Sequence, residues 1–423
     1  MAPTHVKLPN RSLRIHSPRQ EAMLMASIST FGFLTPIVVD DDLTVVTGEL
    51  RVQAARKLQI EQIPVLRVSH LSRIQLEAFR IADNKIQEHG TWDEPALRDA
   101  LADALAHDID LEALGFTIAD ADVVLAEPLA ADLDDVVTPP ATSLLRPADL
   151  FILGPHRVLC GDAFASTAYA ALMGATKAAM VFTDPPYNLA ARSIGGKGRV
   201  KHRAFAAANG EMSGTEFQEY LRSSMALYAG QLDPGGLAYV CIDWRNVRHL
   251  LNAADSLGLD LIDIAIWAKT GAGMGSFYRS QHEMIAVLRA PGANQRNNIE
   301  LGRNGRHRTN VWSYTGANVF GPMRDEALAM HPTVKPIALI MDAIKDCTKR
   351  GDVILDVFGG SGSTLIAAQK TGRTGYLMEI DPAYVETILN RYARTFGIEA
   401  VHAETGLTLN DLLRQRAEGP VEE

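Results

Sequence analysis

From Asp149 onward, apolar runs alternate with stretches of helical spacing, and this alternation limits what the chain can fold into more than any other feature. The runs occupy residues 177–184, 236–243, 261–267, 284–289, 352–358 and 374–381. Each is short and reads as a strand. Strand, helix and strand in repetition predict an α/β fold with a doubly wound, largely parallel sheet.

Upstream lies a different pattern. Residues 36–39, 43–46 and 64–68 read as short strands, with a turn into a helix over 48–58. Residues 73–86 and 94–106 have helical apolar spacing, the second opened by Pro95 in its first turn. This is a small α/β unit with a helical extension. Pro128, Pro139, Pro140 and Pro147 then fall among Ala, Asp and Thr, which marks a linker. A chain of 423 residues is long for one core, so two or three domains are expected.

Apolar content of 47% and charged content of 22% are those of a folded globular chain and exclude global disorder. No run reaches the roughly 18 apolar residues of a membrane span, and the polar start has no signal-like apolar core. A soluble, cytoplasmic protein is expected. Cys160, Cys241 and Cys347 lie far apart without the paired spacing of a zinc site or disulfide framework, which fits a reducing compartment.

The net charge of −9 argues at first against a polyanionic partner, but the charge is unevenly placed. Residues 93–135 carry 13 acids against Arg98 alone, a balance of −12 that leaves the remainder at +3. Two stretches are basic. One holds Arg192, Lys197, Arg199, Lys201 and Arg203; the other holds Arg289, Arg296, Arg303, Arg306 and Arg308 against Glu300. Both suit contacts with phosphates, although solvated loops would look the same.

Two motifs carry chemistry. Asp184-Pro185-Pro186-Tyr187 follows the apolar run 178–182, at a strand's carboxyl end, where α/β ligand sites form. Two prolines fix the backbone and leave carbonyls without competing amide donors. An exocyclic amine attacks poorly because its lone pair is delocalised, so its hydrogens must be held. The Asp184 carboxylate and the Pro185 carbonyl suit that task, and Tyr187 suits stacking on a flipped base. The second motif is Asp356-Val-Phe358-Gly359-Gly360-Ser361-Gly362-Ser-Thr364, a strand passing through glycines into a helix. It lacks the Gly-Lys-Ser/Thr of a phosphate loop and the third glycine of a dinucleotide loop. Twenty residues after Gly359 comes Glu379, at the spacing of a ribose-binding acid. S-adenosylmethionine, which has a ribose and no phosphate, fits these residues.

In order along the chain, these motifs resemble the permuted group of DNA amino-methyltransferases, in which the catalytic turn precedes the cofactor loop. The resemblance spans about residues 148–396 and includes Cys160-Gly-Asp162-Ala163, Trp267-x-Lys269, Phe277-Tyr-Arg279, His282-Glu283 and His331-Pro-Thr-Val-Lys335-Pro336. It implies a Rossmann-like methyltransferase domain. Catalytic roles are implied for Asp184, Pro185, Pro186 and Tyr187. Cofactor contacts are implied for Asp162, Ala163, Asp184, His331, Lys335, Asp356, Phe358, Gly359, Gly360, Ser361, Gly362, Thr364, Glu379 and Ile380. Target recognition is expected within 271–330, which holds Tyr278, Trp312, Tyr314, Phe320 and the amides Asn297, Asn298 and Asn310. Asp at the head of the turn leans toward adenine N6, the alternative being cytosine N4. Ring-carbon methylation would need a Pro-Cys turn, and no cysteine here follows a proline. His282 beside Glu283 has no second ligand pair, so a structural role and no metal are expected.

The N-terminal segment, with Thr35-Pro-Ile-Val, Gly48-Glu49-Leu-Arg51 and Ile63-Pro-Val, resembles the ParB/sulfiredoxin-like domain over about residues 6–90. In that family the Gly-Glu-x-Arg turn lines a nucleotide pocket, which implies roles for Glu49 and Arg51; partition proteins usually carry a second arginine where Leu50 stands. The expected layout is therefore 1–92 ParB-like, 93–147 acidic helical extension and linker, 148–400 methyltransferase and 401–423 tail. The expected partner is double-stranded DNA, with no membrane and with a homodimer left open. A ParB-like DNA-binding or partition protein with secondary methyltransferase activity is the reading from another functional class.

Overall fold

The computed structural model describes residues 1–87, 92–117, 120–121, 124–125, 139–189, 208, 210–269, 277–299, 308–314 and 335–418. It divides into two units, Met1–Ala126 and Glu127–Glu423.

In the first unit, β1 (Ile37–Val39) lies between β2 (Val45–Thr47), antiparallel to it, and β3 (Val65–Arg67), parallel to it. Ile37, Val39, Val45 and Val52 form its core together with Val6 and Ile63. Gly48 caps the helix Glu49–Lys57 with φ 95°, and a Cβ there would come within 2.7 Å of Ile37 Cδ1. Left-handed backbone and close approach together require glycine.

The second unit is built on a ten-stranded sheet. In chain order its strands are β4 (Leu150–Leu153), β5 (His156–Cys160), β6 (Ala178–Thr183), β7 (Leu232–Ile242), β8 (Asp260–Ala268), β9 (His282–Arg289), β10 (Val311–Ser313), β11 (Val353–Asp356), β12 (Thr374–Glu379) and β13 (Val401–His402). Their spatial order is β10-β8-β9-β7-β6-β11-β12-β5-β4-β13. The run β7-β6-β11-β12-β5 is parallel, as the alternation of strands and helices predicts. Met180, Val181 and Phe182 in β6 are at most 1% exposed, which explains the unbroken apolar run.

The flanks depart from the expected largely parallel sheet. Strand β9 sits between β7 and β8 and is antiparallel to both. The segment between β8 and β9 has no amphipathic helical pattern, and without a crossover helix the chain can only turn back beside its own strand. At the other flank β4 and β5 form a hairpin through Gly154-Pro155. Residues expected as a C-terminal tail also belong to this unit. Strand β13 pairs with β4, and the helix Leu409–Glu418 buries Leu409 and Leu412. Arg416 then clasps Asp149 at 2.5 and 2.8 Å, which ties this helix to the start of the sheet.

Candidate active site

At the centre of the sheet, four strands deliver their carboxyl ends side by side. The chain leaves β6 for β7 on one side and β11 for β12 on the other, so the crossovers diverge between β6 and β11. Such a switch point opens a crevice for ligands.

Asp356 braces it. Its Oδ1 accepts from Thr183 Oγ1 at 3.0 Å and from the Phe358 amide at 3.2 Å, and its Oδ2 accepts from Thr364 Oγ1 at 2.7 Å. The first bond ties the strand end before Asp184 to the strand end before the glycines. Burial pushes the Asp356 carboxyl up to about 6 against these bonds.

The glycine loop is seated closely. Gly362, at φ 82°, starts the helix Ser363–Lys370, and a Cβ on it would lie 3.0 Å from Ile388. The Arg391 guanidinium supports the loop from inside, donating to Ser361 O at 3.0 Å and Ser363 Oγ at 3.2 Å. Glu379, at the end of β12, accepts from Gly360 N at 2.8 Å and Asp381 N at 3.0 Å. Burial raises its carboxyl to about 7 despite these bonds. Beside it, β5 ends at Cys160, in register with Glu379, and the exposed Asp162 follows. The half-buried Phe358 and the exposed Ile380 supply apolar surface at the same edge. A carboxylate beside close-packed glycines, with a second carboxylate and apolar flanks, fits a nucleoside with a ribose diol.

The catalytic turn is held at both sides. Asn246 donates to Tyr187 O at 2.6 Å. Asn188, at φ 52°, uses its side chain to bind Met212 O, Met212 N and Gly210 N at 2.8, 3.2 and 3.0 Å. Asn tolerates this left-handed backbone better than most residues.

Within the turn, Asp184 Oδ1 accepts from Tyr187 OH at 2.5 Å and Oδ2 accepts from Lys335 Nζ at 2.6 Å. Lys335 also lies 2.9 Å from Glu283 Oε2, whose other oxygen meets Lys269 Nζ at 2.5 Å. Tyr187 OH also reaches Glu283 Oε2, the oxygen beside Lys335, at 3.1 Å. Two carboxylates and two ammonium groups thus interlock around one phenol. Burial, and Glu283 nearby, raise the Asp184 carboxyl above the usual range although Lys335 opposes this. Glu283, between two lysines, is held down at about 2 in spite of burial. Asp184 and Glu283 likewise keep Lys335 charged well above the ordinary lysine range, although burial works against it.

The structure therefore brings Asp184, Tyr187, Lys335, Asp356, Gly359, Gly360, Gly362 and Glu379 to adjoining strand ends. His331, Arg192, Lys197, Arg199, Lys201, Arg203, Arg303, Arg306 and Phe320 lie outside the described residues. Of the remaining arginines, Arg296 is exposed. Arg308 is taken up internally, 2.6 Å from Asp346 and 3.2 Å from Asp342, with its guanidinium over Trp312. Asn298 spends its amide on Lys345 O and Thr348 O, and Asn310 on Asp263 and Ile264 O. Glu283 and Lys269 received no role from sequence reasoning, although both stand in quoted motifs. Asn246 and Thr183 gave no signal. Among the described residues, no group of three or more His, Cys, Asp or Glu is arranged to hold a metal.

The sheet order, the glycine loop with its ribose-type acid and the Asp-Pro-Pro-Tyr turn define a doubly wound methyltransferase. Residues 178–390 match the DNA methylase family, and the chain belongs to it. It is a DNA methyltransferase that uses S-adenosylmethionine. Residues 6–93 match the ParB N-terminal domain. Among characterised relatives, the type II methyltransferase M2.DpnII of Streptococcus pneumoniae is 27% identical over 50% of this chain and 81% of its own. M.HpaI of Haemophilus parainfluenzae is 23% identical over 55% and 74%. Among solved structures, the M1.HpyAVI–SAM complex is 20% identical, covers 56% of this chain and 98% of its own, and superposes with a TM-score of 0.42.

Proposed function

We propose that the chain methylates the exocyclic N6 of adenine at a specific sequence in double-stranded DNA. The observation that carries this reading is the Thr183–Asp356 bond, which holds Asp184 one strand away from the glycine loop. A reacting amine at the first can then face a methyl donor at the second. When bound, S-adenosylmethionine supplies an electrophilic methyl on a sulfonium.

The residues of the chain do the rest. Asp184 and the Pro185 carbonyl accept the two amine hydrogens and turn the nitrogen lone pair toward the crevice, and Asp184 takes the proton that the amine must lose. Tyr187 and Pro186 bound the slot for a base drawn out of the duplex. Glu379 accepts the ribose hydroxyls, Asp162 meets the adenine beside Ala163 and Ile380, and Gly359, Gly360, Ser361 and Gly362 let the backbone come close. Asp356 and Thr364 brace that loop next to Phe358. His331 and Lys335 border the methionine end. Arg192, Lys197, Arg199, Lys201, Arg203, Arg296, Arg303 and Arg306 meet phosphates. We assign Arg308 instead to holding the recognition segment, since its guanidinium is engaged by Asp342 and Asp346.

Adenine is favoured over cytosine N4 because the turn opens with Asp. We read the ParB-like unit as a DNA-clamping or docking module, with Glu49 and Arg51 at its turn. Incubation with unmethylated genomic DNA and S-adenosylmethionine, followed by nucleoside mass spectrometry, tests the assignment. N6-methyladenine is expected, and N4-methylcytosine would replace the target base alone.

A further inference from the structure

We propose that Glu283 is a positioning residue that draws Lys335 off Asp184 as the amine enters. This deepens the reading of Asp184 as the amine's acceptor and rests on it. Each oxygen of Asp184 has a donor, the Tyr187 hydroxyl on one and the Lys335 ammonium on the other. An ammonium at 2.6 Å draws electron density from the carboxylate and leaves it a weak acceptor for a neutral amine. Lys335 is 5% exposed, so it cannot exchange Asp184 for bulk solvent without leaving the site. It does have a second carboxylate, at 2.9 Å, so a movement of a few tenths of an ångström, about the difference between its two contacts, exchanges one strong partner for the other.

Glu283 is built for that exchange. Lys269 holds its other oxygen, and the Trp267 ring lies under both lysines at 4.7 and 5.8 Å, so the acceptor stays fixed while Lys335 moves. Tyr187 OH lies within reach of both carboxylates and can follow the cation. The cluster stays neutral throughout, with two carboxylates against two ammonium groups. Glu283 stands on β9 and Asp184 after β6, with β7 between them, so the relay crosses the sheet.

The test is a double-mutant cycle on the full chain with duplex DNA, measuring kcat, KM and the cofactor Kd. Glu283→Gln leaves Lys335 with Asp184 as its only carboxylate partner among the described residues. It should lower kcat on the order of a hundredfold while the cofactor Kd stays within about twofold. Adding Lys335→Met should then raise kcat, read at saturating S-adenosylmethionine because Lys335 also borders the methionine end, by about tenfold or more over Glu283→Gln alone, because the competing cation is gone. Additive losses, with the double variant as slow as or slower than the single, would overturn the proposal and make Glu283 a packing residue. If Glu283→Gln does not fold, Glu283→Asp keeps the charge but withdraws the carboxylate, and the same recovery is expected. Asp184→Ala in the same assay separates the two claims. Wild-type turnover there would remove the underlying acceptor reading; a dead Asp184→Ala with no recovery in the cycle would remove only the role of Glu283.

Discussion

At the scale of single residues, the site depends on carboxylates in two different environments. Asp184 is half-buried against a lysine, and its loss removes the acceptor without touching the glycine loop. Asp184→Ala should retain cofactor binding by calorimetry. Its turnover should fall by at least roughly ten- to a hundredfold, the equivalent of ~1.5–3 kcal/mol for one charge-assisted hydrogen bond, and by more as the amine loses its orientation. Glu379 is held at about 7 by burial and must be ionised to accept two hydroxyls. As pH falls from 8 toward 6, the acceptor is progressively protonated, so the Kd for cofactor should rise. Glu379→Gln should weaken binding and flatten that dependence. Stability moves the other way, because the folded state holds this proton more tightly than an ordinary glutamate, whose pKa is 4.5. Glu379's contribution is full below about 4.5 and is lost as pH rises through about 7.

At the scale of elements, closeness of packing decides which substitutions the fold tolerates. Gly362 combines φ 82° with a prospective Cβ contact of 3.0 Å to Ile388. Gly362→Ala should therefore cost about 1–3 kcal/mol in a thermal melt and weaken cofactor binding through the displaced loop. His156 is fully buried in β5, where it accepts from Gly375 N and meets Gln369, and burial lowers its pKa. The neutral ring's contribution is present above about 6.5 and is lost as pH falls, so acid unfolding should begin in this edge of the sheet. His156→Gln should make the unfolding midpoint less sensitive between pH 6.5 and 5. Hydrogen exchange of the Gly375 amide would report it. The elements also show what sequence could and could not reveal. Strands β6, β11 and β12 were legible because burial on both faces enforces apolar runs, and the turn and glycine loop were legible because they are local. The Glu283–Lys335 pair was not: its partners are 52 residues apart and meet only because β9 runs antiparallel to β7. The β4–β5 hairpin was missed because Arg157 and His156 interrupt its apolar pattern. The terminal helix was missed because its sequence is mostly polar and only Leu409 and Leu412 are buried.

At the scale of the molecule, a net charge of −9 on a DNA-modifying enzyme is reconciled by the acidic segment 93–135, which carries −12 and leaves the rest of the chain at +3. Affinity for duplex DNA should therefore fall steeply with salt despite the negative total, as it does when lysines and arginines displace counterions. A filter-binding series from about 50 to 200 mM salt would measure the slope, and a flat response would remove the phosphate contacts from the assignment.

The order of the sheet also bears on how the protein must be made. Strand β11 lies between β6 and β12, near the middle of the sheet, yet begins only at Val353. Until the ribosome has supplied it, β6 has an unpaired edge and the Asp184–Tyr187 turn has no brace at Asp356. Nascent chains stopped short of Val353 should therefore be sticky and unable to retain cofactor, because the strand that joins the β6 side of the sheet to the β12 side is translated late.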